Sequence, residues 1–250
     1  SLCVRLAGDL PSMQKILFRN LLAFFIVGAG LIRKPEKLEI HKGDIKFLFL
    51  RSFCGTIGIV CNFYAIDHLV LSDANMLNKL SPFFAIIFSY FLLKERLTLF
   101  QGIAVVVAFI GALFIIKPTG NMTDPAALIG MLGGAGAGAA YTYVRVLGKR
   151  GVNGKLVVMF FSAFTCLVAL PFVIGNFAPM KWWQTAAMIA AAFGGAGGQI
   201  FVTKAYYYAP AKELSVFDYS QILFSALMGF LILGQRPDVF SILGYLIICA

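Results

Sequence analysis

Three observations predict an all-α polytopic membrane protein of ten transmembrane helices, arranged as two inverted five-helix repeats with the first and last helices truncated. Of the 250 residues, 60% are hydrophobic and 13% charged, and the mean hydropathy is +0.87, a balance foreign to water-soluble domains. Nine apolar stretches approach the ~20 residues needed to cross hydrocarbon. Sliding the chain along itself by 140 positions lays Val4-Arg5 on Val144-Arg145 and Phe100 on Phe240 without a gap, the mark of internal duplication.

The stretches run 12–32, 45–66, 72–93 and 98–116 in the first copy, then 125–146, 156–174, 181–207, 211–233 and 239–250 in the second. Residues 1–8 overlie the end of the segment that finishes near Gly148, so they read as the tail of a further helix. The last stretch is shorter than the ~17 residues a crossing requires. The first repeat is therefore residues 1–117, with helix 1 incomplete and helices 2–5. The second is residues 118–250, with helices 6–9 and an incomplete helix 10.

The overlay holds 15 identities over residues 4–100, among them Lys15 on Lys155, Gly55 on Gly195, Gly58 on Gly198 and Arg96 on Arg236. This composition alone gives roughly half that number by chance. The identities fall at matching points of matching apolar segments.

A formal charge of +10 raises the question of nucleic acid, and its placement answers it. Arg33, Lys34, Lys37, Lys42 and Lys46 follow the second helix, Lys94 and Arg96 the fourth, Arg145, Lys149, Arg150 and Lys155 the sixth, and Lys204 and Lys212 the eighth. Alternate loops are basic, the bias that holds such loops in the cytoplasm. The bilayer rather than nucleic acid is the partner. Five crossings per repeat is an odd number, so the second copy lies upside down. Inverted repeats set a substrate site at their interface near the midplane.

Polar residues inside the spans locate that site, because an uncompensated charge at the bilayer centre costs ~2.5–3.5 kcal/mol even on the mild insertion scale. Asn75, Asn78, Lys79 and Pro82 are spaced i, i+3, i+4, i+7, one face of a helix. The overlay carries the first three to Ser215, Asp218 and Tyr219. Asn62, Tyr141 and Gln199 add amide and phenol groups suited to hydrogen-bonding a substrate. Arg19, about seven residues into its helix, reads as reaching the headgroups. Gly130, Gly134 and Gly138, like Gly194 and Gly198, have the spacing of close helix packing. Pro82 and Pro171 each remove an intrahelical hydrogen bond.

Enzymatic chemistry lacks its parts. His41 and His68 fall in loops on opposite sides, leaving neither a metal site nor a nucleophile–His pair. No paired carboxylates face one another within a span. The five cysteines sit in apolar segments without C-x-x-C spacing and behave as small hydrophobes. No cofactor and no metal are expected.

Ala65, Ser72, Ala74, Leu80-Ser81-Pro82, Lys94-Glu95-Arg96-Leu97 and Gln101-Gly102 together resemble the drug/metabolite transporter superfamily, in its EamA-type branch. Arg19 is similar to an arginine common in that family's second helix. The resemblance implies a ten-helix carrier of the cell membrane with both termini cytoplasmic, whose central cavity is bordered by Asn62, Asn75, Asn78, Lys79, Tyr141, Gln199, Asp218 and Tyr219. The second copy departs from the pattern, with Ile222 in place of the proline and Gln235 in place of the acid. The expected function is secondary transport, as an exporter, of a small polar or zwitterionic metabolite, with Asp218 as the candidate proton-coupling group and facilitated diffusion without protons as the alternative. A non-transporting receptor or scaffold, and a membrane-embedded lipid-modifying enzyme, are the alternatives.

Overall fold

A computed structural model describes residues 2–33, 41–94, 98–100 and 125–209, with isolated positions between 102 and 111 and between 214 and 247. The chain forms α1 (Leu2–Leu6), α2 (Ser12–Arg33), α3 (Lys42–His68), α4 (Leu71–Asn78), α5 (Ser81–Leu93), α6 (Pro125–Lys149), α7 (Gly154–Gly175) and α8 (Trp182–Tyr208). No strand occurs among the described residues. With α4 and α5 taken together as Asp73–Leu93, six segments are long and apolar enough to cross a membrane. They match six of the nine expected stretches to within about three residues at either end. Most of 98–116, 211–233 and 239–250 lies outside the described residues.

Local chemistry sets the helix ends. At α3 the His41 N–H donates to Asp44 Oδ2 at 3.2 Å, meeting one of the amides a helix start leaves open. Asn153 Oδ1 accepts from the Lys155 N–H at 2.9 Å to cap α7, and Gln184 Oε1 does the same for the Lys181 N–H at 2.9 Å before α8. Lys94 stops α5 in the left-handed region, at φ 52°. His68, expected in a loop, is the last residue of α3; its ring stacks on Tyr64 at 4.0 Å.

The two proline helices behave differently. Pro171 sits inside an unbroken α7. Pro82 follows an interruption, where the Lys79 N–H is shared between Asn75 O at 3.0 Å and Met76 O at 2.9 Å, and the Leu80 N–H bonds Leu77 O at 3.2 Å. The helix tightens to i→i+3 bonding for one turn before Pro82, which has no amide hydrogen, opens α5.

The glycines of α6 do the packing foreseen for them. A Cβ at Gly134 would stand 2.6 Å from Leu77 O, and one at Gly138 2.6 Å from Ser81 O. On the opposite side, a Cβ at Gly136 would meet Cys54 O at 2.9 Å, and the reciprocal atom on Gly58 would meet Ala137 N at 2.9 Å. Backbone therefore approaches backbone on both flanks of α6, α3 on one side and α4–α5 on the other. Gly194 and Gly198 differ, since no described atom lies within 4 Å of a Cβ built there.

Two apolar clusters bracket the middle of the molecule. Ile16, Phe63, Ile66 and Leu71 bury one, and Leu48, Val144, Leu147 and Val157 the other. Beyond them, polar ties join the helix ends. At one end Asp44, at the start of α3, accepts from Arg150 in the α6–α7 turn, and the Tyr207 hydroxyl donates to Val152 O at 2.7 Å. At the other, Lys15 Nζ reaches Asp67 Oδ1 at 2.7 Å, Gln14 exchanges two hydrogen bonds with Ala178, and Gln184 Nε2 donates to Ala7 O at 2.9 Å.

The first end gathers Arg33, Lys42, Lys46, Lys149, Arg150, Lys155 and Lys204, and the second holds Lys15 and Lys181. Most of the basic residues at the described helix ends thus lie at one end of the bundle. Large apolar side chains such as Phe25, Phe91, Leu167, Ile174 and Phe201 point outward, as a lipid-facing surface requires.

Candidate functional site

Along α3, between Leu48 in one apolar cluster and Phe63 in the other, polar and small residues open a cavity of about 100 Å³. Arg51, Gly55, Gly58 and Asn62 come from α3, Arg19 from α2 and Asn78 from the end of α4. The second half adds Tyr141 from α6, Phe161 from α7 and Gln199 from α8. At 1.5 Å per residue, Arg51 lies roughly 13 Å from the start of α3 and Asn62 roughly 9 Å from its end, so the cavity is central.

Arg51 dominates the site. It is 2% exposed, its Cζ lies 3.8 Å from the centroid of the Phe161 ring, and Nη2 donates to Gln199 Oε1 at 3.1 Å. Its Nε and Nη1 have no hydrogen-bond partner among the described residues. Each buried donor left so costs about 1–3 kcal/mol, and more on a charged group. Arg19, half-buried, places Cζ 5.6 Å from the Phe63 ring centroid. A Cβ on Gly195 would meet its Nε at 3.0 Å, so that glycine leaves the guanidinium its space.

The remaining walls are ordered by their own contacts. The Tyr141 ring stacks on Tyr206 with centroids 4.6 Å apart and planes at 16°. Asn62 Oδ1 is buried without a hydrogen-bond partner among the described residues. Thr56 and Thr165 share a hydrogen bond at 2.8 Å between α3 and α7.

The expected site residues divide. Asn62, Asn78, Tyr141 and Gln199 line the cavity. Asn75 does not; it is 1% exposed and spends Nδ2 on Leu71 O, four residues back, at 2.7 Å. Lys79 does not line it either, and at 8% exposure it is buried at the α4–α5 interruption rather than extended to the membrane surface. The single polar face assumed for Asn75, Asn78, Lys79 and Pro82 requires a continuous helix, and α4 ends at Asn78. Asp218 and Tyr219 lie outside the described residues.

Arg19 corrects the expectation that it reaches the headgroups, because it borders the cavity instead. Arg51 is the residue sequence reading missed. A charge within an apolar span was the signal available for it, but it belongs to no polar stripe, and the overlay puts Ala191 opposite. Phe161 has no signature beyond being apolar. No group of three or more His, Cys, Asp and Glu side chains able to hold a metal occurs among the described residues.

Six apolar spans around a partly open polar cavity define a multi-pass integral membrane protein with an internal polar site. The chain belongs to the EamA-like transporter family, whose sequence profile matches residues 2–117 and 128–250. It is 30% identical over 244 residues to the pseudopaline exporter CntI of Pseudomonas aeruginosa, covering 97% of this chain and 85% of that protein. It is 24% identical over 268 residues to human solute carrier family 35 member G1, covering 100% of this chain and 73% of the relative. A solved crystal structure matches 99% of this chain and 88% of its own, with a TM-score of 0.69 at 18% identity, a likeness of fold. The family places the chain among drug/metabolite-type transporters, with exporters among its relatives, and not among enzymes.

Proposed function

We propose that the protein is a secondary carrier, working as an exporter of a small polar or zwitterionic metabolite across the cell membrane by alternating access between two inverted repeats. The observation that carries this reading is the polar cavity itself, walled by α2, α3 and α4 on one side and α6, α7 and α8 on the other. A buried polar chamber among apolar spans is costly unless something polar uses it.

The repeat supports the movement. Shifting the bounds of α3 by 140 residues gives those of α8, 182–208, and the same shift brings α2 to within two residues of α7. α2 packs on α7, its own equivalent, while α2 on α8 and α3 on α7 are the two equivalent crossings. A pair of like halves meeting at the site is what rocking requires. The repeats are taken as 1–117 and 118–250, with ten crossings, and the basic end is taken as cytoplasmic, with both termini there.

Flux tests the reading. In sealed proteoliposomes the wild-type protein exchanges a labelled metabolite against unlabelled metabolite on the far side. With Asp218 as the proton-coupling carboxylate, Asp218→Asn abolishes pH-driven uptake and leaves that counterflow intact. Unchanged pH dependence in the variant removes the coupling role; absence of counterflow with any metabolite that binds removes the carrier.

A further inference from the structure

We infer that Arg51, supported by Arg19, is a carboxylate-binding subsite, and that the metabolite handled by the cavity bears a carboxylate next to an N–H or O–H donor. The inference deepens the carrier reading and rests on it for the ligand's movement, though not for its binding.

The guanidinium of Arg51 has five N–H groups in a rigid planar fork. One, on Nη2, goes to Gln199 at 3.1 Å, while Nε and Nη1 have no partner among the described residues. Whichever Nη2 hydrogen Gln199 takes, the other stands beside an unpaired N–H, on Nε or on Nη1. A two-pronged donor edge is therefore left unpaired, with its Nε and Nη1 atoms shielded from solvent. That edge matches the two oxygens of a carboxylate, the pairing arginine makes best.

The group is also held ready. Phe161 lies against the guanidinium plane, 3.8 Å from Cζ, which fixes its orientation in advance of binding. At Gly55 a Cβ would crowd Phe161 at 2.9 Å and Nη1 at 3.2 Å, so the absence of a side chain there keeps both in place. Gly195 is the repeat equivalent of Gly55, and it clears Arg19 in the same way. One duplicated glycine position, once from each half, thus makes room for two arginines that both belong to the first half.

Charge balance points in the same direction. Neither arginine has an ion-pair partner among the described residues; Asp67 pairs with Lys15, and Asp44 with His41 and Arg150. Two cations in one cavity repel each other, and a ligand carboxylate relieves this beyond what the single carboxylate proposed for the cavity, Asp218, can balance. The partnerless Oδ1 of Asn62 supplies an acceptor for a donor on the ligand.

The test uses purified protein and matched probes: succinate against succinamide, and malate against malamide. Thermal shift and competition binding should rank each acid above its uncharged amide in the wild type. Arg51→Gln should weaken acid binding about tenfold or more, and Arg51→Lys, which keeps charge but loses the fork, should fall between. Equal responses to acid and amide, no response to any carboxylate, or undiminished acid binding in a folded Arg51→Gln overturns the subsite. If Arg51→Gln does not fold, the wild-type comparison of acid with amide decides alone. Arg51-dependent binding without flux in proteoliposomes upholds the subsite and removes the carrier reading. Flux of an uncharged metabolite, indifferent to Arg51→Gln, upholds the carrier and overturns the subsite.

Discussion

Arg51 and Lys15 are both buried cations, and their surroundings assign them different work. Lys15, 1% exposed, is neutralised by Asp67, which also accepts from Ser12 Oγ at 2.7 Å. It ties the start of α2 to the end of α3. Removing one member of such a pair strands the other in a poorly solvated place, so Asp67→Ala should cost about 3 kcal/mol or more, read as a lowered melting temperature in detergent. Arg51 has no such neutralising partner among the described residues, and it faces a cavity rather than a helix end. The sequence made Asn62, Asn78, Tyr141 and Gln199 legible as polar groups inside spans. It hid Arg51, because pattern reading rewards stripes and repeats, and a lone charge opposite Ala191 is neither.

At the scale of elements, hydropathy and length were enough to place six spans, since crossing a bilayer demands a long run of apolar residues whatever the packing. What they could not convey was the break in Asp73–Leu93. A helical wheel drawn through residue 82 puts Asn75, Asn78 and Lys79 on one face, yet the tightened turn at Lys79–Leu80 ends that register. Asn78 then borders the cavity while Asn75 bonds its own helix. Glycine roles were equally dependent on neighbours. Gly58 and Gly138 face backbone at 2.9 Å and 2.6 Å, whereas Gly30 has nothing within 4 Å among the described residues. Gly58→Ala and Gly138→Ala should each destabilise by about 1–3 kcal/mol through overpacking. Gly30→Ala, by contrast, should be neutral or stabilising by up to about 1 kcal/mol from helix propensity. Thermal unfolding of the three variants under one condition checks the contrast.

For the whole molecule, the 140-residue offset was visible as a register of identities, and it reappears as matching helix bounds in α3 and α8. Charge placement along the chain was also legible, because loops at one end of a bundle alternate in sequence. The cavity was not, since it needs Arg19, Arg51, Tyr141 and Gln199 brought together from four helices across both copies. The alternating access proposed above requires that cavity to open to each side in turn. The direct measurement is thiol labelling of Asn62→Cys by a small membrane-impermeant reagent, in a variant whose five native cysteines are replaced. Lys149→Cys and Lys181→Cys, exposed at opposite ends of the bundle, report which face the reagent occupies. Each marker should react from one face only, Lys149→Cys from the cytoplasmic one, while Asn62→Cys reacts from both. Reaction of Asn62→Cys from a single face, with both markers behaving as described, contradicts the account.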